Sequence, residues 1–141
     1  MKIRHILLAF VATIVPPGFG WQADELDDLF YAIGTVESGH DDNAVGDGGA
    51  SIGRYQIQKP YWIDATEFDK TIGGRYEDVR DPAYARKVMR AYWRRYEPEA
   101  YRAGNYEVLA KAHNGGWNWR KYPAVKKYWI KVKTEIERCG D

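Results

Sequence analysis

Apolar residues recur at helical spacing in three stretches of the chain. Leu26, Leu29, Phe30, Ile33 and Val36 step by three and four residues, which lines one face of a helix. They predict a first helix over 24–38, with Asp24 or Asp27 serving its positive N-terminus and Gly39 ending it. Ala85, Val88, Met89, Tyr92, Trp93 and Tyr96 form a second stripe. Asp81-Pro82 opens it as N-cap and first helical residue. Val125, Tyr128, Trp129, Val132 and Ile136 form a third, predicting a last helix over about 123–137.

Two shorter helices fit between the stripes. Pro60 suits the first turn of KPYWIDATEF. A segment over about 106–112 is closed by Gly115-Gly116. Residues 69–80 read as a polar loop. Residues 43–57, NAVGDGGASIGRYQI, do not fit a helix. Gly46, Gly48, Gly49 and Gly53 would each cost about 1 kcal/mol there relative to Ala. Asp47-Gly48 is a hairpin signal, so this stretch predicts a small β-hairpin or a ribbon-like loop. The fold class is therefore mostly α with a small β element, an α+β arrangement.

The first 23 residues read differently. Lys2, Arg4 and His5 precede an apolar run from Ile6 to Val15, too short to span a bilayer as a helix. Pro16, Pro17, Gly18 and Gly20 break it. This is the pattern of a secretory signal, with cleavage near Gly20 or Ala23. A retained anchor is the other reading. The expected layout is a signal over 1–23 and one domain over 24–141, in a secreted or periplasmic protein with no integral membrane segment after signal removal.

The full chain has 141 residues and a formal net charge of +1. Losing Lys2 and Arg4 leaves −1, so nucleic-acid binding lacks its usual electrostatic drive. Cys139 is the only cysteine, so no internal disulfide can form. Stability must come from packing. Six Trp and eleven Tyr supply large rings for a core, or flat platforms for sugar rings.

Glu37 is the most informative single residue. It follows Ile33 by four, Phe30 by seven and Leu29 by eight, which places it on the apolar face of the first helix. Burial there would raise its pKa and suit it to general-acid work. At the helix end it could equally turn into water. Asp47 offers the second carboxylate that most glycoside hydrolases use, or simply forms a turn before glycine. His40, Asp41, Asp42 and Asn43 match no metal-loop spacing, and no metal or other cofactor is expected. Ser51 and His113 lack the elbow of a nucleophile–base pair.

Four blocks carry a family resemblance. Glu37-Ser38-Gly39, Ser51-Ile52-Gly53-Arg54-Tyr55-Gln56-Ile57, Pro60-Tyr61-Trp62-Ile63-Asp64 and His113-Asn114-Gly115-Gly116 resemble the invertebrate-type lysozymes, in order and at near-family spacing. AYWRRYEPEA resembles a further family segment. The likeness spans about residues 30–130. The blocks also resemble the wider lytic transglycosylase group. The resemblance implies a lysozyme-like fold, a helical domain with the small β element forming one side of a cleft. It implies cleavage of the β-1,4 bond between N-acetylmuramic acid and N-acetylglucosamine in peptidoglycan, or of a chitin-like glycan, by a monomer. Glu37 matches the general acid and Asp47 the second carboxylate. Ser51, Tyr55, Gln56, His113 and Asn114 match cleft residues, and Trp62 or Trp117 would stack on a sugar. Lytic transglycosylase chemistry and a non-catalytic glycan-binding module are the alternatives. The family's disulfides are missing here. The positions matching its isopeptidase Ser–Lys pair hold glycine or alanine and Gln58, so that activity is not expected.

Overall fold

The computed structural model describes residues 25–140. The proposed signal over 1–23 lies outside them. Six α-helices follow in order, α1 Asp27–Ser38, α2 Lys59–Phe68, α3 Pro82–Tyr96, α4 Pro98–Ala103, α5 Tyr106–Gly115 and α6 Val125–Cys139. Three two-residue strands, β1 Val45–Gly46, β2 Ser51–Ile52 and β3 Ile57–Gln58, lie between α1 and α2. They form one antiparallel sheet in the order β1-β2-β3, with Val45 opposite Ile52 and Ile52 opposite Ile57. The β element is thus a three-stranded sheet rather than one hairpin. Gly53 and Gln56, both at positive φ, turn the chain a second time within the glycine-rich stretch.

The sequence signals locate most helix ends. Asp81 accepts from the Ala83 and Tyr84 amides, as an N-cap should. Helix α1 starts at Asp27, without a side-chain cap, and its first turn carries Asp27 and Asp28. Its C-terminal cap is Gly39 at φ 63°. Helix α5 runs three residues beyond the predicted 112. Gly115 remains helical, and the break falls at Gly116, whose φ is 77°. A Cβ on Gly115 would lie 2.6 Å from Trp119 Cβ and 2.7 Å from Val125 Cγ1. That position serves close packing rather than a cap. Helix α4 and the 3₁₀ turn Tyr76–Arg80 within the polar loop were not predicted.

Helix α3 supplies the centre of the core. Ala85, Val88, Met89, Ala91, Tyr92 and Trp93 are all buried along it. Phe30 of α1 packs on Trp93 with ring centres 5.5 Å apart and meets Tyr55 edge-on at 6.0 Å. The Arg86 and Arg90 guanidinium groups lie over the same Phe30 ring. Helix α6 lies against α1 and α5, with Val125, Tyr128 and Val132 inward. Full burial of each large side chain stabilises by about 1.5–3 kcal/mol. This aromatic core takes the structural place that disulfides hold in many small secreted domains.

Candidate active site

A cleft of about 370 Å³ opens between the sheet on one side and α2, α3 and α5 on the other. Glu37, in the last turn of α1, forms part of its wall, and Asp47, in the turn after β1, lines the same cleft from the sheet side.

The end of α1 is tied firmly to the sheet. Ser38 Oγ donates to the Arg54 carbonyl at 2.8 Å and accepts the Asp41 amide at 3.1 Å. Arg54 pairs with Asp42 at 2.7 Å. His40 Nε2 lies 2.8 Å from Thr35 Oγ1. The 40–43 segment is therefore a strap that holds the helix end against the β2–β3 turn. Among the described residues no group of His, Cys, Asp and Glu is placed to hold a metal ion.

Glu37 sits in the environment that a protonated carboxyl needs. Its side chain is 18% exposed. Burial, as the dominant cause, pushes its pKa up to about 7. The Asp47 charge adds to the rise, and Tyr128 and Lys131 oppose it. His113 Nε2 lies 3.7 Å from Glu37 Oε1. The two do not form an ion pair, because burial holds His113 down at about 4 and keeps it neutral. His113 Nε2 lies 2.9 Å from the Tyr55 carbonyl. A carbonyl only accepts, so Nε2 carries the ring proton. Nδ1 is then free to accept from the Tyr61 hydroxyl at 3.4 Å. Tyr61 in turn stacks on Tyr92 with ring centres 3.7 Å apart.

Asp47 stands at φ 51°, between Gly46 and Gly48. Ser51 Oγ donates to its Oδ2 at 2.5 Å. Ser51 is 1% exposed, so its hydroxyl serves the carboxylate rather than open cleft. Gln56, also at positive φ, donates through Nε2 to the Gly53 carbonyl at 3.0 Å. Its Oε1 occupies the place of a side chain at Gly46, 2.1 Å from where a Cβ would stand. The glycine beside Asp47 thus makes room for the Gln56 amide.

The structure brings Glu37, Asp47, Ser51, Gln56, His113 and Asn114 to one cleft. Two expected cleft residues lie elsewhere. Tyr55 is 1% exposed and forms part of the core, with its hydroxyl accepting from Arg86 Nε at 2.9 Å. Trp62 faces the 69–80 loop, packs near Tyr76 and donates to the Tyr84 hydroxyl at 2.8 Å. Both corrections share a cause. The side chains beside them in sequence, Gln56 and Tyr61, take the cleft-facing directions.

Among the described residues Trp117 is the tryptophan at the cleft, 60% exposed. Its loop is anchored by Glu97, which receives Trp119 Nε1 at 2.7 Å and Arg120 through both terminal nitrogens at 2.6 and 3.1 Å. Burial alone would raise the Glu97 pKa, but the Arg120 and Trp119 bonds outweigh it and hold the carboxylate charged. Asp64, Tyr61 and Tyr92 also line the cleft, and the sequence reading missed them as site residues. Their helical register marked Tyr92 only as core. The block containing Tyr61 and Asp64 was visible, but which side chains faced the cleft was not.

No family model matches the chain. Individual proteins do. Lysozyme from Ostrea edulis is 33% identical over 86 residues, 60% of each chain. Invertebrate-type lysozyme 3 of Caenorhabditis elegans is 31% identical over 94 residues, covering 62% of this chain and 68% of that one. The chain belongs to the invertebrate-type lysozyme family. The crystal structure of Tapes japonica lysozyme superposes with a TM-score of 0.61 at 28% identity, over 76% of this chain and 87% of that one. The match spans only 60% of the Ostrea edulis protein and 65% of an invertebrate-type lysozyme from Ruditapes philippinarum. Within this invertebrate-type lysozyme fold, the small sheet and the helical body form the two sides of the cleft.

Proposed function

We propose that this chain hydrolyses the β-1,4 bond between N-acetylmuramic acid and N-acetylglucosamine in peptidoglycan, with Glu37 as general acid. The observation that carries this reading is the Glu37 carboxyl, pushed up to about 7 by burial at the wall of an open cleft. A carboxyl with that pKa holds its proton at mildly acidic to neutral pH and still gives it up readily.

Glu37 donates its proton to the bridging oxygen as the bond from that oxygen to the muramic sugar carbon breaks. Positive charge grows on that carbon, and Asp47 stabilises or traps it from the sheet side. Water then completes the hydrolysis, with Glu37 taking back a proton. Ser51 orients the Asp47 carboxylate. Gln56 and Asn114 line the cleft with amides suited to sugar hydroxyl and acetamido groups. Trp117 offers its exposed ring as a stacking platform at the rim. Neutral His113 forms part of the wall behind Glu37.

A second carboxylate on the cleft favours hydrolysis over lytic transglycosylase chemistry, which needs only the acid. The complete cleft within one chain supports action as a monomer. A chitin-like glycan presents the same bond and the same acetamido groups, and we include it as a substrate class. The basic, apolar N-terminus supports export, with residues 1–23 removed and 24–141 acting outside the cytoplasm. No helix among the described residues is long and apolar enough to cross a membrane.

The test is clearing of a peptidoglycan suspension by wild type, Glu37→Gln and Asp47→Asn, with mass spectrometry of the released fragments. Wild type should clear the suspension and release reducing ends, and both variants should lose at least about a hundredfold in rate. Equal clearing by Glu37→Gln would remove Glu37 from its role. Anhydro-muramic ends would replace hydrolysis with transglycosylation.

A further inference from the structure

Burial gives Glu37 its proton but penalises the carboxylate that remains once the proton has left. An efficient site needs a donor that gains strength at that moment. The groups facing Glu37 are Asp47 from the β1–β2 turn, Tyr61 from α2, His113 from α5, and Tyr128 and Lys131 from α6. Asp47 is itself an anion. The His113 Nε2 proton is committed to the Tyr55 carbonyl, and the Tyr61 hydroxyl is directed to His113 Nδ1. Lys131 of α6 is exposed beside α1, where solvent screens its charge.

Tyr128 is different. It is 9% exposed, and its hydroxyl oxygen is fully buried without a hydrogen-bond partner in this structure. Buried hydroxyls are rarely left unpaired, and each exception asks for an explanation. Helix α6 packs on α1, and the Tyr128 hydroxyl lowers the Glu37 pKa as a nearby donor, although in this structure it stands outside hydrogen-bond geometry to any group.

We propose that Tyr128 is a positioning residue for proton transfer, its buried and unpartnered hydroxyl being the donor that receives the Glu37 carboxylate. This rests on Glu37 being the general acid. The proton passes from Glu37 to the bridging oxygen, whose bond to the sugar carbon breaks with the electron pair left on that oxygen. Glu37 becomes a carboxylate, and the Tyr128 O–H turns to it. Tyr128 keeps its own proton throughout, because burial raises its pKa well above the ordinary phenol value. A hydrogen bond to the charged carboxylate is roughly twice as strong as one to the neutral acid. The hydroxyl therefore favours the transition state over the resting state.

Tyr128→Phe deletes one oxygen atom and keeps the ring. Its kcat should fall about ten- to a hundredfold, the worth of one hydrogen bond to a charged group, with KM nearly unchanged. The alkaline limb of kcat/KM should move up by about one pH unit, since the variant holds its proton more tightly. In substrate-free protein carrying ¹³C-labelled glutamate, the Glu37 carboxyl midpoint should move up as well. At pH 5, where Glu37 holds its proton, the thermal midpoint should stay near that of wild type, because the hydroxyl has no bonded partner there. Lys131→Met should also raise the Glu37 midpoint, but its effect should shrink in high salt while that of Tyr128→Phe persists. An unmoved carboxyl midpoint in Tyr128→Phe overturns the proposal, whatever the activity. If wild type cleaves no glycan, the enzymatic reading fails and the Tyr128 role in proton transfer fails with it. A shifted midpoint would then establish only the contact between the two residues.

Discussion

Ser51 Oγ donates to Asp47 Oδ2 at 2.5 Å, from a side chain that is 1% exposed to a carboxylate that lines the cleft. Ser51 belongs to β2 and Asp47 to the turn before it. The bond holds an otherwise exposed acid in one direction. Ser51→Ala should lower kcat/KM about tenfold, the worth of one charge-assisted hydrogen bond. The folded structure should be retained by circular dichroism. A rate within twofold of wild type would remove the orienting role.

The Glu37 pKa of about 7 sets both a rate limit and a stability trend. Activity should fall as pH rises above about 7 and the acid loses its proton. The folded pKa lies above the ordinary value of 4.5. Glu37 thus contributes stability that is fully present below about 4.5 and is lost as pH rises through about 7. Glu37→Gln should accordingly be more stable than wild type at pH 8–9, by a margin on the order of 3 kcal/mol larger than at pH 4. Denaturant unfolding of both proteins at the two pH values measures the difference. A pH-independent gap would contradict the buried placement.

His113 carries the opposite linkage. Its folded pKa is about 4, below the ordinary 6.5, because burial disfavours the cation. Its contribution is present above about 6.5 and is lost as pH falls through about 4. Over that interval the loss is on the order of 3 kcal/mol, and between about 4.5 and 6.5 Glu37 works against it. Wild type alone should therefore show a shallow pH profile. His113→Gln should unmask the Glu37 trend, becoming steadily more stable from pH 7 down to about 4.5. A His113→Gln profile parallel to wild type would argue against a buried neutral imidazole.

Trp117 and Trp62 should separate binding from stability. Trp117 is 60% exposed at the cleft, so Trp117→Ala should weaken glycan binding about tenfold or more and change unfolding free energy by less than about 0.5 kcal/mol. Trp62 packs under the 69–80 loop through Tyr76 and Tyr84. Trp62→Ala should cost about 2–3 kcal/mol in stability and leave binding nearly intact. Titration with a chito-oligosaccharide and a melting curve for each variant read the two effects. A binding loss confined to Trp62→Ala would reverse the assignment.

Much of the fold could be read from the order of residues. The period of Leu29, Phe30 and Ile33, the Asp81-Pro82 start and the glycines of the 46–53 stretch depend on local geometry, and local geometry is what sequence spacing encodes. The same spacing placed Glu37 on an apolar face. It could not decide whether the carboxyl turned to water, because that depended on α6 bringing Tyr128 and Lys131 against α1. Nor could it separate Gln56 from Tyr55, or Trp117 from Trp62. Adjacent side chains leave the backbone in different directions, and only packing against α3 and the 69–80 loop determines which one meets the cleft. The neutral state of His113 was equally hidden, since its cause is the Tyr55 carbonyl and the burial that tertiary contact provides.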